Sequence, residues 1–169
     1  MSVYSSVDSE TSAYRVEKAR TGGALLLSSG ASVHGAFFVA GSSATHVGPE
    51  RVKDVLNAEP GFFPFEVRDA HGTTHSILYN RDHVIHVELA GNQEAHLDPG
   101  YSVATRRSVS MLFSDGTRLK GVVSVYRPQG SDRLSDFTRS PEQFRYLETA
   151  NATYLVNVHH LIELVEETS

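Results

Sequence analysis

Nine histidines stand in a chain of 169 residues that has no cysteine. Imidazole is the commonest nitrogen ligand for metals and the usual general base, so these residues are weighed first. His83 and His86 lie three apart on a predicted strand, which puts them on opposite faces. His71 and His75 flank a turn, and His159 and His160 are neighbours. Tetrahedral zinc needs three or four converging ligands, and no group of histidines is spaced to supply them. No metal and no cofactor is expected. Serines are plentiful, but none stands in a G-x-S-x-G elbow, and Gly22, Gly23 and Gly30 have neither P-loop nor dinucleotide spacing. Nucleophilic catalysis needs a nucleophile, a base and an orienting group, and no such set is visible. The chain is therefore expected not to be an enzyme.

One polar set does recur. Arg51, Asp54, Asn80 and His83 are followed, in the same order, by Arg133, Asp136, Asn157 and His160. One reading makes them a partner-binding patch used twice. The other is structural: Arg and Asp three apart pair across a helical turn, Asn suits a left-handed turn, and His bonds a backbone carbonyl. The structural reading is favoured. If the set is functional, it serves partner recognition rather than chemistry.

These positions belong to an internal repeat. ALLLSSGASVHGAFFV (24–39) lies on SMLFSDGTRLKGVVSV (110–125), matching Ser28/Ser114, Gly30/Gly116, Gly35/Gly121 and Val39/Val125. RVKDVLNAEPGF (51–62) lies on RLSDFTRSPEQF (133–144), and LYNRDHVI (78–85) on LVNVHHLI (155–162). Repetition at a fixed order means repeated architecture. The expected organisation is a disordered tail over 1–12, a first module over 13–89, a linker over 90–100 and a second module over 101–169. Modules this small are marginal alone, so the two are expected to pack on each other.

Within each module, apolar alternation around Ser29-Gly30 and Asp115-Gly116 predicts a β-hairpin. A second glycine five residues on, Gly35 or Gly121, predicts a bulge or sharp bend where the sheet curls. YRVEKAR (14–20) and YSVATRR (101–107) read as a lead-in, either a short helix or a first strand. The Arg-x-x-Asp segments predict one or two helical turns, stopped by Pro60 and Pro141. The last blocks predict a pair of strands broken near Asn80 or Asn157, with Ile85, Val87 and Leu89 on one face, as Ile162 and Leu164 are. The fold class is all-β with short helices, as two tandem small β-barrels.

The pattern apolar-x-apolar-x-(S/D)-G-x-x-apolar-x-G-x-apolar, at 25–37 and 111–123, resembles the first motif of the Sm/Lsm family of SH3-like barrels. The chain departs from that family further on. N-x-x-H-(V/L)-I stands where the second motif has its glycine, and the Asp and Asn that bind RNA bases there have no counterpart. The resemblance thus implies the barrel and not the RNA binding. The longer pattern of D-G, G, R-L-x-D, F and N-x-x-H is similar to bacterial domains of unknown function.

Net charge is −5, and Arg106–Arg107 is the densest positive point. Nucleic-acid binders need a basic face, because phosphate neutralisation supplies most of their affinity. Nucleic acid is therefore a disfavoured partner. If the Sm-like reading holds, its contacts are Arg106, Arg107, Arg118, Lys120 and Arg127, and the modules could self-associate into a ring. The favoured expectation is a non-catalytic protein-interaction module or adaptor, with a protein partner. No apolar run approaches the ~20 residues of a membrane span and the N-terminus is not a signal peptide, so a cytoplasmic protein without membrane contact is expected.

Overall fold

A computed structural model describes residues 18–91, 94–126 and 133–168. The expected tail, most of the first lead-in and Arg127 lie outside the described residues. The first half runs β1 (Ala19–Leu27), β2 (Ser32–Val39), α1 (Val52–Asn57), β3 (Phe62–Arg68), β4 (Thr74–Asn80) and β5 (Val84–Leu89). The second half runs β6 (Thr105–Phe113), β7 (Arg118–Val125), α2 (Leu134–Thr138), β8 (Phe144–Glu148), β9 (Thr153–Asn157) and β10 (Leu161–Glu166). A 3₁₀ turn joins β4 to β5 (Arg81–His83) and another joins β9 to β10 (Val158–His160). His83 therefore sits on a turn, where a strand was expected. The lead-in of the second half divides into a 3₁₀ turn (Tyr101–Val103) and the start of β6.

The ten strands of the described residues form one antiparallel sheet in the order β10-β6-β7-β8-β9-β5-β1-β2-β3-β4. Two closed barrels were expected, and the pairing corrects this. Closure of the first half would need β5 beside β4, but β5 has β1 on one side and β9 on the other. The sheet stays unclosed. Its two halves repeat the same internal strand order, and β5 to β9 is the seam between them.

The bend expected at the second glycine is a close crossing of two strands. A Cβ on Gly35 would lie 2.1 Å from the Glu66 carbonyl oxygen, and one on Gly121 would lie 2.5 Å from that of Glu148. Only glycine lets β3 and β8 pass so near to β2 and β7. The pairings are correspondingly short, covering Ala36↔Glu66 and Phe37↔Phe65 in one half and Val122↔Glu148 in the other.

Bulges set which apolar residues face inward. The β1–β5 register jumps from Leu26↔His86 to Leu27↔Val84, passing over Ile85, and the β10–β6 register passes over Ile162 in the same way. An extra residue reverses the alternation, so Val84 joins Val87 and Leu89 in one cluster while Ile85 turns to the other. The expected shared face of Ile85, Val87 and Leu89 is corrected accordingly. Each cluster takes residues from both halves. Phe144, Tyr146 and Leu155 of the second half are buried with Phe37, Phe63 and Phe65 of the first, and Ile85 of the first half is buried with Met111 and Phe113 of the second.

Candidate functional site

The recurring polar set divides between two places. Arg51 and Arg133 are N-cap residues of α1 and α2, and Asp54 and Asp136 lie three residues into them. Asp54 accepts from the Arg51 backbone N–H at 2.8 Å, and Asp136 from that of Arg133 at 3.0 Å. An acidic side chain satisfies an otherwise orphaned amide at a helix start in both halves. The predicted helices are present, and in both the aspartate bonds the arginine backbone, while Arg51 Nε also lies 4.0 Å from Asp54. The arginine side chains differ. Arg51 is buried and donates to Asp98 in the linker at 2.5 Å, whereas Arg133 is exposed. His46 adds a 2.6 Å contact to Asp54, which raises the imidazole pKa.

Asn80, His83, Asn157 and His160 occupy the two 3₁₀ turns. The Asn80 and Asn157 side chains accept from the amides of Asp82 and His159, capping the turns. The Ser28 hydroxyl lies 2.8 Å from His83 Nδ1, and the Ser114 hydroxyl 2.6 Å from His160 Nδ1. The backbone repeats the clamp, as Ser28 N–H donates to the His83 carbonyl and Ser114 N–H to that of His160, both at 2.8 Å. Each histidine thus fastens the hairpin turn to the β4–β5 or β9–β10 turn.

A serine hydrogen-bonded to histidine is also half of a hydrolytic site. His160 Nε2 donates to the Asp82 backbone carbonyl at 2.5 Å, which leaves Nδ1 to accept from Ser114. A catalytic pair would have its histidine oriented by a third group toward bound substrate. Here the group behind the His160 imidazole is the main-chain carbonyl of Asp82 in the other half, so this pair also bridges the seam. Among the described residues, no three His, Cys, Asp or Glu side chains converge as a metal site.

Asn157 spans the same seam. It is fully buried, and its Nδ2 donates to the carbonyls of Val84 at 2.8 Å and Arg81 at 3.2 Å. With the pairing His86↔Val156 through Leu89↔Thr153, these bonds make the seam a four-pair ladder with a polar lock at one end.

An open cleft of about 790 Å³, mouth included, lies where α1, the linker, α2 and β8 meet. Lys53 lies 3.0 Å from Glu142 and 3.5 Å from Asp98, with its ammonium over the Tyr146 ring. Asp136 and Glu148 add two further carboxylates to the lining. Such a lining repels phosphates and suits cations or basic side chains. Beside it, Glu94 of the linker accepts from Tyr146 Oη at 2.8 Å and from the Lys53 amide at 3.0 Å. Burial and the adjacent Glu94 push the Tyr146 phenol well above its ordinary range.

Two buried arginines escaped the sequence reading. Arg81 donates to the carbonyls of Val55, Leu56 and Phe62, and Arg145 to those of Ser140 and Glu142. Arg81, on the 3₁₀ turn after β4, neutralises the carbonyl end of α1, whereas Arg145, on β8, ties down the connection between α2 and β8. Burial lowers both pKa values. No sequence signal marked them, because they are not repeat-matched.

The four described nucleic-acid candidates are ion-paired. Arg106 meets Glu148 at 3.3 Å, Arg107 meets Glu166 at 3.1 Å, Arg118 meets Glu163 at 3.4 Å and Lys120 meets Glu167 at 3.4 Å. The outermost strands are the remaining feature. β4 and β10 each have one side without a neighbouring strand among the described residues, and they carry exposed apolar side chains: Ile77 and Leu78 on β4, Ile162 and Val165 on β10. Among the described residues, no helix is long and apolar enough to cross a membrane. In comparison with known proteins, no family model matches the chain, and neither a curated protein nor a solved structure is similar to it.

Proposed function

We propose that this chain is a non-catalytic protein-interaction module that takes up its partners at the two open edges of its sheet. One observation carries the reading: among the described residues, both outer strands have one side without a pairing strand, and they carry large exposed apolar side chains, Leu78 at 65% exposure and Ile162 at 63%. Edges that serve no partner are commonly blunted by lysine, proline or a covering loop. Unpaired backbone supplies the hydrogen bonds of strand addition, and the side chains beside it supply selectivity. The Ser–His pairs fit a fastening role, since their second nitrogen is engaged by backbone or open to solvent.

The alternative, Sm-like RNA binding, is weakened by the four described candidate cations, each of which faces a carboxylate. Carboxylates of neighbouring segments offset these cations, and phosphate contact would compete with an ion pair at every described position.

The test is affinity capture with the full chain against a double variant carrying Ile77→Lys and Val165→Lys. Both positions are exposed, so the fold is retained. Proteins retained by the parent, a differently tagged copy of the chain included, are expected to be lost by the variant. Identical capture by both would overturn the reading.

A further inference from the structure

We infer that the partner at both edges is a second copy of this chain, with β10 of one copy pairing antiparallel to β4 of the next. This rests on the edge-binding reading above and names its partner. The argument comes from the seam. β5, the last strand of the first half, pairs with β9, the fourth strand of the second half. β10 is the last strand of the second half and β4 the fourth strand of the first, and among the described residues both lack a neighbour on one side. The molecule thus holds one completed junction and the two open halves of another.

The side chains support the equivalence. Phe144 and Leu155 are fully buried at the seam, while their repeat-matched counterparts Phe62 and Leu78 are 58% and 65% exposed. Ile85 is turned by its bulge into the core of the other half and is fully buried. Ile162 is passed over by the same bulge and is 63% exposed. The polar lock is likewise half-built. Asn157 Nδ2 donates across the seam and His160 Nε2 reaches the Asp82 carbonyl. Among the described residues, Asn80 Nδ2 and His83 Nε2 have no hydrogen-bond partner.

Transposing the seam register gives the new pairing. His86↔Val156, Val87↔Leu155, Glu88↔Tyr154 and Leu89↔Thr153 become Glu163↔Tyr79, Leu164↔Leu78, Val165↔Ile77 and Glu166↔Ser76 of the next copy. Val165 and Ile77, both exposed in the single chain, then face each other. Asn80 Nδ2 reaches the Val158 and Leu161 carbonyls of the neighbour, and His83 Nε2 that of His159. The contact is head-to-tail, so it propagates until the chain of copies closes on itself.

The experiment is light scattering on the purified full chain and on two single variants, Ile77→Lys and Val165→Lys. The parent is expected at a whole multiple of 18.5 kDa. Each variant keeps one intact edge of one kind and is expected to be a monomer. Mixed together, they are expected to form a two-chain species of 37 kDa (18.5 + 18.5) and nothing larger, through the intact β10 of Ile77→Lys and the intact β4 of Val165→Lys. A monomeric parent at tens of micromolar would overturn the inference, as would a dimer of either variant alone, which means edges of one kind pair with each other. If the parent is monomeric yet edge-dependent capture of other proteins persists, the edge-binding function stands and only this partner fails.

Discussion

Asn157 and Asn80 hold the same place in the two halves, yet only Asn157 bonds across a seam, placing Nδ2 2.8 Å from the Val84 carbonyl. Asn157→Ala strands two buried acceptors and is expected to cost roughly 2–3 kcal/mol. Asn80→Ala loses the cap to the Asp82 amide and is expected to cost about 1 kcal/mol or less. Urea denaturation of both in the Val165→Lys background isolates the single chain. Equal losses would mean that the seam bonds carry no weight.

Gly35 and Gly30 are expected to respond very differently to alanine. At Gly35 the new Cβ would meet the Glu66 carbonyl at 2.1 Å, which backbone must move to relieve, for a cost of about 3 kcal/mol or more. Gly30 has φ of +89° in open space, so its cost is left-handed strain alone, about 1–2 kcal/mol. Thermal unfolding of Gly35→Ala and Gly30→Ala gives the order, and a milder Gly35→Ala would refute the close crossing.

His86 contributes pH dependence. Burial lowers its pKa, its ring packs against Phe113 and Tyr154, and its Nδ1 is buried without a partner. The unfolded chain therefore binds the proton more readily than the folded one. The contribution is complete above the ordinary histidine pKa of about 6.5 and is lost as pH falls from there toward the folded value. His46 has the opposite sign: its pKa is raised by Asp54, so its contribution is complete below the ordinary value and fades as pH rises through the folded one. Stability measured from neutral to mildly acidic pH is expected to fall more steeply in the parent than in His86→Phe. Parallel curves would show that the ring carries no such penalty.

Tyr146→Phe removes the hydroxyl from which Glu94 accepts at 2.8 Å. A loss of roughly 1–2 kcal/mol is expected, and limited proteolysis should show faster cleavage within the linker. An unchanged cleavage rate would mean that Glu94 does not anchor it.

The element order was legible because glycines, prolines and the repeated Arg-x-x-Asp and Asn-x-x-His segments punctuate the chain at every turn. The hairpins, the short helices and the strand break at Asn80 and Asn157 appear where the residues put them. Long-range pairing was not legible. Whether β5 turns back to β4 or goes on to β9 depends on Val84 and Val87 meeting Asn157 and Leu155 across roughly 70 residues, and no local pattern encodes that. The bulges at Ile85 and Ile162 were hidden for a related reason, since an added residue shows only against its partner strand. The eight repeat-matched polar residues were visible from the start, but Ser28 and Ser114 read as turn formers until the histidines were seen against them.

The seam also sets an order of events at the ribosome. The first half can assemble β1 to β5 as soon as Leu89 has emerged, but β5 then waits for Thr153–Asn157 and the first core for Phe144 and Leu155. At about 5–20 residues per second, the interval of some 60 residues lasts roughly 3–12 seconds. Throughout it the nascent chain presents bare strand at β4 and β5, on either flank of one half-built sheet. On polysomes, neighbouring nascent chains could pair there in the wrong order, so slower translation of the second half should raise misassembly during synthesis and leave refolding of the completed chain unaffected.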